Sequence, residues 1–388
     1  MRTVNFTAHN TVTLLHCGAE FFPALIAAID AAQAEIHLET YIFADDKTAD
    51  MVKDALKRAA GRGVTVKVIT DWIGTGHAFS KKLKQELQAA GVHHRSFNPW
   101  FRRGVVRTHR KLCVIDRSVA FLGGLNINDD LLSDDDSHMV LAAPRWDFAI
   151  GLRGPVTTAI HLEAETQWGR LGHLALKTRL DLFRKVRVEQ PAAAGGAVLA
   201  ALVIRDNLRN RHTIQRAYLR ALGHAHKSAW LANPYFAPGR KLRRALESAA
   251  GRGVDVTLLL GVGQFRMQDA VARSFYPKLL KSGVHIVEYH KTQLHAKVAV
   301  IDDEWATVGS SNYDGLSLFV NQEANVIIKD SGFAHRLRLH IERAVSEGVR
   351  INPDDFANIR WYESAWYGIA YLIYKNVLRL ITLGRYSE

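Results

Sequence analysis

The sequence predicts an α/β protein built from two similar halves, each with a mostly parallel sheet flanked by helices. Three observations carry this prediction: a set of sequence blocks that occurs twice, strand and helix patterns that alternate within each set, and a length of 388 residues. A chain of that length exceeds a typical single domain. Because 48% of the residues are apolar, each half has enough material for a substantial core.

The repeat is visible as four pairs of blocks that keep the same order. The later copy follows the earlier one by between 186 and 193 residues: "ETYIFADD" (39–46) and "ANPYFAPG" (232–239), "AAGRGVTVKVI" (59–69) and "AAGRGVDVTLL" (249–259), "AAGVHHRSF" (89–97) and "KSGVHIVEY" (281–289), "THRKLCVID" (108–116) and "LHAKVAVID" (294–302). One short match can arise by chance, but four in register indicate an internal duplication.

Each copy has the same predicted order of elements. A strand ("AEIHLETYIF" or "KSAWLANPYF") precedes a helix over about 48–60 or 240–250, which we expect to stop at Gly61 or Gly251. A second strand, a second helix, a short strand and the strand with the His-x-Lys pair follow. Strands that alternate with helices indicate βαβ units and a largely parallel sheet.

The domain boundary is predicted at the Pro-, Ala- and Gly-rich stretch "EQPAAAGGA", residues 189–197. The prediction is an N-terminal half over 1–188, a linker over 189–198, a C-terminal half over 199–350 and an aromatic and basic tail over 351–388.

Composition narrows the class of partner. A net charge of +13 favours an anionic partner, such as nucleic acid, an acidic membrane surface or a phosphorylated substrate, although solubility alone can explain such a charge. Cys17 and Cys113 are the only cysteines, which argues against a disulfide framework or a zinc site and fits a reducing compartment. We find neither a signal peptide in "MRTVNFTAHNTV" nor an apolar run of membrane-spanning length.

The two His-x-Lys strands are the candidate site. Alternate side chains of a strand share a face, so His109 and Lys111 point the same way. If the strand stays regular, Asp116 has the opposite parity and is a structural anchor rather than a catalytic partner. The same pattern recurs with His295, Lys297 and Asp302. Each histidine is followed, seventeen residues later, by the asparagine of a Gly-rich turn: Asn126 in "GGLN" and Asn312 in "GSSN". Small residues let the backbone approach an anion, and an amide can donate a hydrogen bond to it.

His-x-Lys, four residues, Asp, six residues and then Gly-[Gly/Ser]-x-Asn is the signature of the phospholipase D superfamily, which the chain therefore resembles. The resemblance implies two phospholipase D-like α/β/α halves, related by a pseudo-twofold axis, that share one active site. It implies a phosphohistidine intermediate, with one histidine as the nucleophile and the other as the general acid and base, and no metal or other cofactor. Family precedent favours His109 as the nucleophile.

The resemblance also assigns roles to individual residues. The catalytic motif residues are His109, Lys111, Asp116, His295, Lys297 and Asp302. The residues that bind or orient the phosphate are Asn126, Asn312, Ser310, Asp147 and Glu323. Asp147 and Glu323 are included because the superfamily places a carboxylate some 28 to 40 residues beyond each histidine. This carboxylate holds the histidine ring in the tautomer needed for catalysis.

Within the superfamily, the blocks outside the motifs resemble the short bacterial cardiolipin synthases that lack N-terminal transmembrane spans. Such an enzyme would join two phosphatidylglycerol molecules into cardiolipin and release glycerol, as a peripheral protein on the cytoplasmic face of the inner membrane. The chain departs from the group's pattern at Gly315 and Leu316, where an arginine is common, and this difference bears on the headgroup specificity.

Two stretches favour a lipid partner independently of that resemblance. "FNPWFRRGVVRTHR" (97–110) mixes aromatic residues with four arginines, and "ESAWYGIAYLIYKNVLRLITLGRYS" (363–387) is an aromatic-rich apolar stretch that suits either an interfacial helix or a core helix. We therefore predict phosphatidylglycerol and the membrane surface as partners, with no obligate nucleic acid. The alternatives are a hydrolase of the same superfamily, either a phospholipase D or a nuclease, and a non-enzymatic membrane-binding protein with the same fold. The acidic run over 129–137 is interpreted as a solvated loop.

Overall fold

The chain divides into two compact units. The computed structural model describes residues 4–102, 104–133, 139–172, 196–207 and 210–381. Among the described residues, the N-terminal unit contains those within 5–130 and 149–202, and the C-terminal unit contains Val4 and those within 131–148 and 203–381. Residues 131–148 therefore belong to a different unit from the sequence half in which we placed them. Most of the expected linker, residues 189–195, lies outside the described residues, as do part of the acidic run, 134–137, and the end of the tail, 382–388.

The N-terminal unit alternates strands and helices. Its elements are β1 (Thr7–His16), α1 (Cys17–Asp30), β2 (Glu35–Thr40), α2 (Lys47–Gly61), β3 (Thr65–Asp71), α3 (His77–Ala89), β4 (His93–Phe97), β5 (Leu112–Ile115), β6 (Val119–Gly123), β7 (Phe148–Arg153), α4 (Val156–Leu171) and β8 (Val198–Arg205).

The sheet of this unit is mixed. Its strand order is β8-β1-β7-β6-β5-β2-β3-β4. Strands β2, β3 and β4 are parallel to one another, as the βαβ pattern predicts, but β5 and β6 form a hairpin and pair antiparallel with their neighbours. The expectation of a mostly parallel sheet is therefore correct only for the first three strands of the repeat.

The C-terminal unit repeats this order. Its elements are α5 (Thr213–Gly223), β9 (Ser228–Asn233), α6 (Arg240–Gly251), β10 (Asp255–Gly261), α7 (Arg266–Arg273), α8 (Tyr276–Lys281), β11 (His285–Tyr289), β12 (Val298–Ile301), β13 (Trp305–Gly309), α9 (Gly315–Phe319), β14 (Glu323–Lys329), α10 (Ser331–Glu347), β15 (Val349–Arg350), α11 (Pro353–Ala357) and α12 (Trp361–Ile381). The sheet order is β15-β11-β10-β9-β12-β13-β14, with β9, β10 and β11 parallel.

The duplicated block "AAGRGV" ends a helix in both units. Helices α2 and α6 run to Gly61 and Gly251, and Gly63 and Gly253 then adopt left-handed φ angles of 90° and 87°. A residue with a Cβ is strained in that conformation, which explains why the second glycine of the block is present in both copies.

The two aspartates of the repeated motif lie in turns rather than on strands. Asp116 and Asp302 have φ angles of 48° and 55°, and the residue after each is also left-handed. Two successive left-handed residues make a type I′ turn, which suits the twist of the flanking strands and accepts aspartate. The hairpins β5–β6 and β12–β13 follow from these turns.

Each unit has its own apolar core. In the N-terminal unit, α1 and α2 pack on one face of β2 and β3 through fully buried side chains that include Leu25, Ile36, Leu56 and Val66. Leu246, Leu258, Ile286 and Leu337 are fully buried in the same way in the C-terminal unit. No helix among the described residues has the length and apolar content needed to cross a bilayer.

Candidate active site

The first half-site lies just before β5. His109 and Lys111 are both buried in the extended segment that leads into this strand, and the Lys111 ammonium donates a hydrogen bond of 2.8 Å to the carbonyl of His109. The Tyr41 ring packs edge-on against the His109 imidazole, with 5.1 Å between the ring centroids, and lies 5.3 Å from Lys111 Nζ. The ammonium is thus tied to the backbone of the histidine that it accompanies.

Asp71, at the carboxyl end of β3, holds the residue before this histidine. Its carboxylate accepts hydrogen bonds from the backbone N–H groups of Thr108 (2.9 Å), Ile73 (3.0 Å) and Gly74 (3.2 Å). Burial raises the pKa of Asp71 to about 6, although the three hydrogen bonds oppose the rise. A buried carboxylate therefore holds the backbone of the residue directly before His109.

A buried ion pair lies behind the same half-site. Arg110, between the histidine and the lysine, contacts Glu39 at 3.1 Å and Glu163 at 2.7 Å. Burial raises the pKa of Glu39 to about 7, although the nearby Arg110 guanidinium opposes the rise. Since Arg110 and Glu39 are almost fully buried, removal of Arg110 would leave the carboxyl group of Glu39 in the core without its cationic partner.

The second half-site contains a carboxylate–imidazole pair. His295 Nδ1 lies 2.6 Å from Asp147 Oδ2, and both side chains are almost completely buried. The backbone N–H groups of His295 and Ala296 both donate to the carbonyl of Trp146, at 3.0 Å, and Lys297 donates to the carbonyl of His295. The carboxylate at Nδ1 fixes the orientation of the imidazole ring and favours the tautomer or charge state that carries a proton on Nδ1.

The position of Asp147 corrects an expectation from the sequence. The superfamily spacing suggested that this carboxylate orients the histidine that precedes it in the chain. The structure pairs it instead with His295, 148 residues downstream, because residues 131–148 are part of the C-terminal unit.

The Gly-rich turn after the second motif is bound to β14. The Ser310 hydroxyl donates to Glu323 and accepts a hydrogen bond of 3.1 Å from the N–H of Ala324. Asn312 is buried, and its Oδ1 accepts no hydrogen bond from the described residues. In the first copy, Asn126 Oδ1 accepts a hydrogen bond of 3.2 Å from the N–H of Ile42.

The motif aspartates bind backbone. The Asp116 carboxylate accepts hydrogen bonds from the N–H groups of residues 33, 34 and 35, at 2.8 to 2.9 Å, and Asp302 accepts those of residues 226, 227 and 228, at 2.7 to 2.9 Å. Each aspartate therefore fastens its type I′ turn to the start of β2 or β9.

One cluster among the described residues has the composition of a metal site. Ligand atoms of Glu35, His37, His161 and Glu165 lie within 4.8 Å of one another between β2 and α4. Cations already neutralise both carboxylates, because Lys67 contacts Glu165 at 2.5 Å and Arg117 Nε contacts Glu35 at 2.6 Å. We interpret the cluster as an ion-pair network that attaches α4 to the sheet.

A cavity of about 340 Å³ lies beside the second motif in the C-terminal unit. Gln293 and Leu294, which directly precede His295, line it together with residues at the carboxyl ends of β9 and β10, such as Tyr235 and Gln264. Tyr235 donates a hydrogen bond of 3.0 Å to the side chain of Gln264 across this wall. The lining combines apolar and polar side chains, as small-molecule sites do.

Sequence reasoning missed the residues that support the two half-sites. Asp71, Glu39 and Tyr41 stand at or just after the carboxyl ends of buried strands, and that position was the available signal. Nothing local marks Glu163 as the partner of Arg110, since 53 residues separate them.

A family profile matches the chain in two segments. The profile described as "Cardiolipin synthase, PLD-like domain" matches residues 25–147 and 218–345, which is more than half of the chain. The two matched segments contain the two His-x-Lys motifs.

Curated relatives share the same description. The chain is 39% identical to cardiolipin synthase B of Escherichia coli strain K12 over 347 residues, which covers 85% of this chain and 79% of the relative. It is 32% identical to cardiolipin synthase 2 of Bacillus anthracis over 91% of this chain and 68% of the relative. These similarities and the profile match confirm the predicted class of enzyme, a phosphatidyltransferase of the cardiolipin synthase kind.

A solved structure shares the fold. Phosphatidylserine synthase of Haemophilus influenzae superposes with a TM-score of 0.72 at 13% identity, over 98% of this chain and 97% of that one. The predicted fold class, two phospholipase D-like α/β repeats, is confirmed.

Proposed function

The chain belongs to the cardiolipin synthase family of phospholipase D-like proteins, and we propose that it transfers a phosphatidyl group from one phosphatidylglycerol to another. The products are cardiolipin and glycerol. The observation that carries the proposal is the presence of two intact His-x-Lys motifs, of which the second holds a buried histidine–carboxylate pair with its Nδ1 engaged.

The first step forms the phosphohistidine. A nitrogen of His109 attacks the phosphorus, the bond from phosphorus to the glycerol oxygen breaks, and His295 gives its proton to that oxygen. The Asp147 carboxylate, 2.6 Å from His295 Nδ1, stabilises the imidazolium that supplies the proton. This assignment agrees with His109 as the nucleophile.

The second step regenerates the enzyme. The headgroup hydroxyl of the second phosphatidylglycerol gives its proton to His295 and attacks the phosphorus, and the bond from phosphorus to His109 breaks. One phosphodiester is broken and one is made overall, so no nucleotide is consumed. Lys111, Lys297, Asn126 and Asn312 offset the charge on the phosphate oxygens.

The motif aspartates and Glu323 support this chemistry indirectly. Asp116 and Asp302 keep the hairpins in place through backbone hydrogen bonds, and Glu323 orients the Ser310 hydroxyl. The cavity lined by Gln293 and Leu294 is our candidate for the acceptor headgroup, because these two residues directly precede His295 in the chain.

We propose a peripheral location on the cytoplasmic face of the inner membrane. The net charge of +13 favours a surface of anionic lipid. In the N-terminal unit, the loop that leads to His109 exposes Trp100 and Phe101, and the Arg107 guanidinium lies 5.4 Å from the Phe101 ring. Exposed aromatic residues beside an arginine suit the headgroup region of a bilayer.

The test is a product analysis. Purified protein is incubated with phosphatidylglycerol vesicles, and separately with single-stranded DNA, and the lipids and oligonucleotides are identified by mass spectrometry. Cardiolipin with an equal amount of glycerol supports the proposal. Phosphatidic acid or cleaved DNA would redirect it to a hydrolase, and no product in either reaction would favour a binding protein.

Histidine variants test the mechanism. His109→Ala and His295→Ala should each lower turnover about 10³-fold or more, since each group acts in both steps. His335→Ala, on an exposed position of α10, is the matched control and should keep full activity. Near-normal activity in either site variant would contradict the two-histidine mechanism.

A further inference from the structure

Helix α12 (Trp361–Ile381) has apolar side chains on two sides. On its inner side, Ala370 and Leu378 are buried against the C-terminal unit. Its outer side carries large apolar residues that are 43% to 77% exposed: Trp366, Ile369, Leu372, Ile373, Val377 and Leu380. At 100° per residue these six fall on one face of the helix. Helix α12 therefore has one apolar face that is packed and a second apolar face that is exposed.

The inner side of α12 is attached to the segment that follows the second motif. The N–H of Gly315, three residues after Asn312, donates a hydrogen bond of 2.7 Å to the Tyr374 hydroxyl. Leu378 forms a small apolar cluster with Val320, against which Phe319 and Ile381 also pack.

Gly315 is the position at which this attachment is tightest. A Cβ placed there would lie 2.1 Å from Leu378 Cδ2 and 3.0 Å from Tyr374 Oη, which is far inside normal contact distances. The departure from the family pattern at residue 315 thus has a local structural reason: a side chain there would force Leu378 and Tyr374, two contacts of α12, to shift.

The outer side of α12 has the chemistry of a bilayer interface. Tryptophans occupy its first two turns, and Lys375 and Arg379 project at one edge of the apolar stripe. Aromatic residues and cations bordering an open apolar face favour the boundary between anionic headgroups and acyl chains.

We infer that the outer face of α12 docks on the membrane surface and that its inner face, through Tyr374 and Leu378, fixes the segment from Asn312 to Val320. The inference rests on the proposed function, because it supplies the way in which the second half-site meets substrates embedded in a bilayer. Tyr374 and Leu378 are positioning residues, and the absence of a side chain at Gly315 lets both pack against that segment.

The outer face is tested by vesicle binding. Ile369→Asp combined with Ile373→Asp should lower the partition coefficient onto phosphatidylglycerol vesicles about tenfold or more in co-sedimentation, because two apolar side chains leave the interface. The same variant should retain wild-type turnover of dihexanoyl phosphatidylglycerol below its critical micelle concentration. Ser364→Asp, on an exposed polar position of the same helix, is the matched control.

The inner face is tested by a double-mutant cycle. Gly315→Ala should lower turnover on both vesicles and short-chain lipid and should expose α12 to limited proteolysis. Leu378→Ala in the same chain should recover much of that loss, because it removes the atom that the new Cβ meets. Gly368→Ala, whose Cβ would have no heavy atom within 4 Å, should leave turnover unchanged.

The outcomes are distinct. If the wild-type chain makes no cardiolipin from either lipid, the proposed function fails, whereas vesicle binding still tests the docking face. If the wild-type chain makes cardiolipin and the Ile369→Asp, Ile373→Asp variant binds vesicles normally, the docking inference is overturned. A change from dimer to monomer in that variant, with vesicle binding intact, would identify the face as a subunit contact and would also overturn it.

Discussion

The hydrogen bond between His295 and Asp147 gives the sharpest test of how the second half-site works. Asp147→Asn preserves the size of the side chain but removes the charge that stabilises the imidazolium. An amide can also present its NH₂ group to Nδ1, and this favours the tautomer that has its proton on Nε2. The general base of the second step would then be lost.

The magnitude follows from the burial and the distance. The two atoms are 2.6 Å apart and both side chains are less than a tenth exposed, so the bond is a charge-assisted one with little solvent screening. A hydrogen bond to a charged group contributes about 1.5–3 kcal/mol, which alone corresponds to roughly 10- to 150-fold in rate. The tautomer effect adds to this, and the equivalent change in a serine protease triad costs about 10⁴-fold in kcat. We expect kcat to fall between about 10² and 10⁴-fold.

The assay is the initial rate of cardiolipin formation from short-chain phosphatidylglycerol, with KM and kcat determined separately. KM should change little, because the carboxylate contacts the histidine and not the lipid. Asp303→Asn is the control: it removes a carboxylate in the hairpin β12–β13, which contacts Arg338 at 3.4 Å and not the His295–Asp147 pair. A loss of less than about threefold in Asp147→Asn, with the fold intact by circular dichroism, would refute the proposed role of the pair.

Three further predictions concern stability, each read as a midpoint of thermal or urea unfolding. Asp302→Ala should destabilise the protein by about 1–2 kcal/mol, because three largely solvent-exposed backbone N–H groups exchange a carboxylate acceptor for water; an unchanged midpoint would contradict the anchoring role. Leu56→Ala should cost about 2–5 kcal/mol since Leu56 is fully buried, and a loss below 1 kcal/mol would mean that the core collapses around the site. Glu165→Gln should lose about 1–3 kcal/mol at pH 7 and almost nothing near pH 2. Burial raises the pKa of Glu165, but the hydrogen bonds from His37 and Lys67 have the larger opposite effect and lower the pKa to about 2. The stabilisation is therefore present above the ordinary pKa of 4.5 and disappears as the pH falls towards 2. Equal losses at both pH values would contradict this.

The hairpin aspartates show where a pattern in the sequence predicts the chemistry but not the geometry. The parity argument identified Asp116 and Asp302 as anchors on the assumption of a regular strand. Both residues in fact lie in left-handed turns after the strand has ended, and they reach backbone groups at the start of another strand. Periodicity describes a strand only as far as the strand extends, and the point at which it ends depends on the hairpin partner.

The sequence by itself determined the duplication, the α/β class and the residue types at the two motifs, because these depend on local patterns and on matches at a fixed offset. Only the tertiary structure decided that the Asp147 carboxylate contacts His295 and that Asp71 binds the backbone directly before His109. It also decided that Leu378 packs where a Cβ of residue 315 would lie. Each of these contacts joins residues that are far apart in the chain and come together through the packing of whole elements. No local period encodes such a distance, so the supporting residues become visible only when the strands and helices that carry them have been placed.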